Sequence, residues 1–242
     1  VGYWPFCGNA NDESSNTNHG TVNGATLTTD RFGNANSAYD FDGVDDYIEI
    51  QPISDLNGMS DFTLSAWFKI DTDANTVNYF VCRGWDWNNG FNLYFTDNGP
   101  QKVGLIINGA SSGATGQKSK TFQTIDDWNN IIITRSGSSI SYYRNQILDT
   151  TYTYSAPLLT NNELLYFGVH KWIGQTPGYY PYFLKGDLDD IHIYNRALDS
   201  TEVQQLYTLG QHDIAWSTGD TTSSITVGPT ASTTYTVTVS DG

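Results

Sequence analysis

The chain has 242 residues, 14% of them aromatic and only 15% charged, with a formal net charge of −15 and a pI near 4.3. That length accommodates one large all-β domain with a small appendage, and the charged share is far below the usual quarter or so. So large an acidic excess repels nucleic acid and anionic membrane surfaces, disfavours strongly anionic polysaccharides and suits a soluble protein outside the cell, while no apolar run of about 18 residues is present to span a membrane.

Val1-Gly2-Tyr3-Trp4 opens on a strand with no signal peptide ahead of it, as expected of a mature or trimmed chain. Cys7 and Cys82 either pair in an oxidising compartment or remain thiols. Residues 9–24 are polar and aperiodic and predict a loop. Short strands are expected near 25–28, 38–41 and 47–50. In 61–70 the residues Phe62, Leu64, Ala66, Phe68 and Ile70 alternate onto one face, which predicts a core strand. Trp67 and Trp128 lie in strand patterns and are expected in the core. Further strands are predicted near 77–82, 90–96 and 102–108, punctuated by Asn88-Asn89-Gly90 and Asn98-Gly99. Residues 128–135 and 139–144 form a predicted hairpin across Ser136-Gly137-Ser138, followed by strands at 147–153 and 163–168. Residues 169–183 read as a long aromatic loop.

The stretch from Gly186 to Asp199 then runs from a strand into a helix start. Leu198, Asp199, Glu202 and Val203 occupy N′, N-cap, N3 and N4, a capping box with a hydrophobic staple, and the helix should stop before Gly210. Many short strands, regular turns and one late helix predict an all-β, two-sheet antiparallel sandwich. After Gly210 the composition shifts to Thr, Ser and Val. The predicted domains are therefore 1–209 and a β-rich tail, 210–242, which is too short to bury a core of its own.

Asp187-Leu188-Asp189-Asp190-Ile191-His192-Ile193-Tyr194, with its helix, resembles the closing element of laminin G-like, concanavalin A-like jelly-roll domains of secreted bacterial proteins, which implies that the sandwich is a jelly roll. Ala38-Tyr39-Asp40-Phe41-Asp42-Gly43 with Tyr47-Ile48-Glu49-Ile50 resembles the paired early strands of that family. Phe62-Thr63-Leu64-Ser65-Ala66-Trp67-Phe68-Lys69 resembles its central strand. The tail, with Thr233-Thr234-Tyr235-Thr236-Val237-Thr238-Val239, resembles the second half of an immunoglobulin-like repeat of secreted Bacteroidetes proteins. The fold hosts lectins, adhesion modules, glycoside hydrolases and lyases, so the resemblance names a fold before a function.

Oxygen-rich residues recur in three places: Asp12, Asn16 and Asn18; Asp42, Gly43, Asp45 and Asp46; and Asp189 with Asp190. Calcium takes six to eight oxygens of this kind. In related enzymes one calcium ties the N-terminal segment to the last strand, and Asp189 matches the Asp of that strand. The resemblance therefore implies a structural calcium with Asp12, Asn16, Gly43, Asp189 and Asp190 as ligands; solvated surface acid is the plain alternative. The second candidate is aromatic. Trp85 and Trp87, flanked by Arg83 and Asn88, occupy a turn, and His170, Trp172 and Tyr180 occupy the late loop. Flat rings stack on sugar C–H groups while Arg83, Asn88 and His170 would bond hydroxyls; the same rings alternatively just cover the end of the sandwich. The Glu-x-Asp-x-x-Glu motif of β-glucanases and the Arg-x-Glu, Gln-x-His lyase set do not occur, and the four histidines have no zinc spacing. The expectation is a non-enzymatic carbohydrate-binding module, a monomeric unit of a larger secreted protein, that takes a polysaccharide or oligosaccharide. A protein–protein adhesion module and a glycan-cleaving enzyme are the alternatives.

Overall fold

Alternating apolar residues give the chain its strands, and the computed structural model describes residues 1–71, 77–85, 89–96, 101–108, 118–122, 124–170, 182–210, 212–220 and 224–241. The chain divides into two units, Val1–Asp199 and Ser200–Gly242. In chain order the strands of the first are β1 (Gly2–Trp4), β2 (Gly20–Asn23), β3 (Thr26–Thr28), β4 (Ala38–Asp42), β5 (Tyr47–Ile50), β6 (Phe62–Ile70), β7 (Asn78–Trp85), β8 (Asn89–Thr96), β9 (Lys102–Ile107), β10 (Asn129–Ser136), β11 (Ser139–Arg144), β12 (Ile147–Thr153), β13 (Leu165–Phe167), β14 (Val169–His170), β15 (Tyr182–Phe183) and β16 (Lys185–Tyr194).

Two antiparallel sheets make the jelly-roll sandwich. One has eight strands in the order β12-β11-β10-β6-β16-β4-β3, with β1 also on β16; the other runs β2-β5-β13-β7-β8-β9. Their inward faces bury Phe62, Leu64, Ala66, Phe68 and Ile70 of β6 against Phe80, Phe91, Leu93, Phe95, Leu165 and Phe167. The phase expected for β6 is therefore the observed one. Trp4 is fully buried in this core, and its indole Nε1 donates to the Asn18 carbonyl at 3.0 Å.

Two tryptophan expectations are corrected. Trp67 has the opposite phase to the core residues of β6; it is buried on the outer face, where the Arg31 guanidinium lies 4.5 Å from its ring. Trp128 precedes β10 and is only half-buried. The predicted loop at 9–24 also contains β2, an edge strand whose GTVN sequence has no apolar alternation to announce it. The late loop contains the short ladder β14–β15. Cys7 is exposed, Cys82 is buried, and no disulfide joins them.

The closing strand β16 sets the geometry of one outer face. One edge of it pairs with β6; the other pairs first with β4, from Lys185 to Leu188, and then with β1, from Ile191 to Ile193. The exchange falls at a bulge between Asp189 and His192, where Asp190 takes φ +44°. A bulge breaks the two-residue alternation, so two consecutive side chains can serve one face.

The second unit holds α1 (Ser200–Thr208), starting directly after the predicted N-cap, and a ladder of β17 (His212–Trp216) with β18 (Val237–Asp241). Val203 and Leu206 of α1 are buried, whereas Val237 and Val239 of β18 are exposed.

Candidate functional site

The outward face of the six-stranded sheet carries a second apolar cluster, separate from the core. Strand alternation builds it. Ile48 and Ile50 of β5 point inward, leaving Tyr47 and Glu49 outward; Leu165 and Phe167 of β13 leave Tyr166; Phe91, Leu93 and Phe95 of β8 leave Asn92 and Tyr94. Register lines these up in one row, Glu49–Tyr166–Cys82–Asn92–Ile106, and a second, Tyr79–Tyr94–Gly104. Gly104 is required beside Tyr94, because a Cβ there would lie 2.6 Å from the ring carbon Cζ.

Rings on this face pack in sequence. Tyr79 is 5.6 Å from Tyr94 and stacks on His170 at 4.6 Å, and both adjoin Tyr182, at 6.0 and 6.5 Å. Tyr47 meets Tyr166 edge-on at 6.0 Å. Lys118 Nζ lies 5.8 Å from the Tyr94 ring. Tyr79, Tyr94, Tyr166 and His170 are buried and Tyr47 is half-buried, whereas Tyr182 is 44% exposed and ends the stack. Burial, with the Glu49 carboxylate alongside, pushes the Tyr166 hydroxyl above the usual phenol range, so it stays a neutral donor. His170 and Tyr182 are brought in by β14–β15. That ladder depends on Gly168 at φ +81°, where a Cβ would lie 2.3 Å from Phe41. Of these groups the exposed Tyr182 ring and the half-buried Tyr47 and Glu49 reach solvent, a flat ring, a hydroxyl and a carboxylate of the kinds that sugars use.

Of the residues chosen from sequence, His170 joins this cluster. Trp85 ends β7, but its side chain lies outside the described residues, as do Trp87, Asn88, Trp172 and Tyr180. Arg83 is corrected. It points inward, is 1% exposed, and its Nη2 donates to the Asn57 Oδ1 at 2.7 Å and to the Asn161 and Ile53 carbonyls. Burial lowers its pKa to about 10 against the opposing charge of Glu163. It is an interior strut joining the segments around 53–57 and 161, not a surface group for sugar. Tyr47, Tyr79, Tyr94 and Tyr166 were missed. Their signal was present as tyrosines in the off-core phase of strands whose other residues are Ile, Leu and Phe.

The expected calcium ligands do not converge. Asp12 is engaged by backbone: its Oδ1 accepts from Tyr3 N and Ser14 N, and its Oδ2 from Asn18 N, each at 2.9 Å. Burial raises its pKa, but these bonds outweigh it and hold the carboxyl below the usual range. The Asn16 amide donates to the Val1 carbonyl. Asp42, next to Gly43, pairs with Lys185, so Asp189 lies four residues further along β16, about 13 Å at strand rise. Asp189 and Asp190 hold Arg31 instead, at 2.7 and 2.6 Å. The named donor set therefore does not fit one calcium. Asp42, Asp45 and Asp46 do lie together, their ligand atoms within 4.8 Å, with the Asp42 and Asp46 carboxylates accepting backbone N–H groups of the same turn. One further acidic pair, Asp40 and Asp187, sits across β4 and β16. Burial, with Asp40 nearby, pushes the Asp187 carboxyl up to about 6, opposed by Lys69 at 3.3 Å.

The solved structures that this chain matches share its fold at low sequence identity. No curated protein sequence matches it. Domain 4 of AbnA, an extracellular GH43 arabinanase from Geobacillus stearothermophilus solved with arabinotriose, superposes with a TM-score of 0.63 at 16% identity, over 85% of this chain and 97% of that one. A botulinum neurotoxin type C structure, whose cell entry depends on two ganglioside molecules, gives 0.63 at 11% identity over 81% of this chain and 47% of that one. The binding domain of botulinum neurotoxin DC, in complex with rat synaptotagmin II, gives 0.61 at 13% identity over 81% and 48%. This chain thus spans about half the length of the toxin domains. The Laminin_G_3 family model, described as concanavalin A-like lectin/glucanases superfamily, matches residues 41–204, and the chain belongs to that superfamily.

Proposed function

We propose that this chain is a non-catalytic carbohydrate-binding module of a secreted protein and that it takes its glycan on the outward face of the six-stranded sheet. The observation that carries the reading is the aromatic stack Tyr94–Tyr79–His170–Tyr182, which ends in the exposed ring of Tyr182. Tyr182 would stack on a pyranose or furanose face, while Glu49 and Tyr47 fix hydroxyls. Trp172 and Tyr180, between β14 and β15 in the sequence, and Trp85, Trp87 and Asn88 at the β7–β8 end would extend the contact. The arabinotriose complex of a domain with this fold supports the ligand class. A protein-adhesion module is the second reading, favoured by the synaptotagmin complex of another relative in fold.

The test is a glycan array with polysaccharide affinity gels, and reducing-end release measured in parallel. Tyr182→Ala is expected to weaken binding about tenfold or more at nearly unchanged Tm, since its ring lies at the surface end of the stack. Glycan binding that is unaffected by Tyr182→Ala and Trp172→Ala would move the site elsewhere. Product release, lost in Asp187→Asn, would make the chain an enzyme. Capture of a protein with no glycan bound would make it an adhesion module.

A further inference from the structure

The β3–β4 connection is a hydrogen-bonded turn that delivers one cation. Asp30 closes it: its Oδ1 accepts from Phe32 N and Asn34 N at 2.8 Å, and its backbone N donates to the Asn34 carbonyl at 3.0 Å. At the tip the Arg31 guanidinium lies between two rings, 4.2 Å from Phe32 and 4.5 Å from Trp67. Its Nη1 reaches Asp189 Oδ2 at 2.7 Å and Asp190 Oδ2 at 2.6 Å. The other two oxygens are also taken, Asp189 Oδ1 by Asp190 N at 2.8 Å and Asp190 Oδ1 by the Tyr3 hydroxyl at 3.0 Å. The three charged side chains are 5%, 3% and 13% exposed.

Consecutive carboxylates on a strand normally point to opposite faces. Here the bulge with Asp190 at φ +44° turns both towards one point, at the place where β16 passes from β4 to β1. The atom at that point is within 2.7 Å of two carboxylate oxygens, close to the about 2.3–2.6 Å of calcium–oxygen bonds. We propose that Arg31 is the resident cation of the closing strand: it fills the slot a divalent metal would take between Asp189 and Asp190 and ties the β3–β4 turn, β1 and β16 together without metal. It follows that removing the guanidinium leaves two carboxylate oxygens facing one point, where calcium, its remaining positions filled by water, can neutralise the Asp189–Asp190 pair.

The test compares the full chain with Arg31→Met, which keeps an apolar stem over Trp67, and with Arg31→Met/Asp189→Asn, each melted in EDTA and in calcium. Any calcium held at Asp42, Asp45 and Asp46 is common to all and cancels. Calcium far above its Kd is expected to raise the Tm of Arg31→Met by about 5 °C or more beyond the wild-type shift. That gain should disappear in the double variant. Terbium should show emission sensitised by Trp67 in Arg31→Met only. A folded Arg31→Met with no gain from calcium or terbium overturns the proposal. Should Arg31→Met not fold, wild type against Asp189→Asn decides: an equal calcium shift in both supports Arg31 as the cation, and a shift lost in Asp189→Asn overturns it.

Discussion

The His192 imidazole lies 4.1 Å from the Tyr3 ring and 5.9 Å from Tyr194, stacked between them, with Nδ1 3.2 Å from the Asp190 carbonyl. Burial pushes its pKa down to about 4, despite the opposing Asp190 charge and with help from Arg31. A depressed histidine stabilises the fold above its unfolded pKa of about 6.5, and that contribution is lost as pH falls through the folded value, an effect of up to about 3 kcal/mol. Asp187 and Asp189 act with the opposite sign. Burial raises both, Asp190 adding to the rise at Asp189 while the ion pairs with Arg31 and Lys69 oppose it at Asp189 and Asp187, so the net contribution is fully present below about pH 4 and is lost as pH rises through the folded values. The wild-type profile is therefore flatter than either effect alone. Replacing His192 with Gln separates them: the stability difference, wild type minus variant, should fall as pH drops from 7 to 4. Denaturant melts across that range would refute the assignment if the difference stayed constant.

Among the elements, β14 depends most on a single backbone position. Gly168 leaves β13 at φ +81°, its N–H donates to Phe80 O at 3.1 Å, and its own carbonyl accepts from Leu184 N at 2.8 Å. A side chain there would face both left-handed strain and a collision with Phe41. Gly168→Ala should cost about 2–4 kcal/mol. Gly33, at φ +87° with nothing within 4 Å of a Cβ, is the control; Gly33→Ala carries only the strain, about 1 kcal/mol. Equal losses in Tm for the two would show that packing against Phe41 is unimportant. Elements of this kind also mark where the sequence was readable. Core strands such as β6, β8 and β16 announced themselves by alternation, and α1 by its cap. β2 and β14–β15 did not, because short edge segments owe their pairing to distant partners. The Arg31 clamp was hidden for the same reason: no local pattern links residue 31 to residue 189. The one available sign was Asp189-Asp190 itself, two acids breaking the alternation of β16 where the bulge occurs. The tyrosine face was legible in strand phase, as tyrosines at the positions of β5, β8 and β13 that alternate with core Ile, Leu and Phe.

At the scale of the whole molecule, acidity and architecture act separately. A net charge of −15 spread over 242 residues sets long-range repulsion, which favours neutral glycans over anionic ones in any first encounter. The proposed glycan site lies on one sheet face of the first unit, whose core and outward cluster are both formed by residues before Asp199. The second unit contributes a ladder of two five-residue strands, β17 and β18, with exposed valines, and an isolated two-stranded ribbon is marginal in water. Residues 211–242 should therefore act as a connecting segment and not as part of the site. A chain ending at Gly210 is expected to keep its cooperative melt and to bind the same glycans with Kd within about threefold of the full chain, under 1 kcal/mol. Isothermal titration of both forms against the best array ligand measures this. Loss of binding in a shortened chain that still melts cooperatively would place part of the ligand site on the tail and reject a site confined to the sandwich.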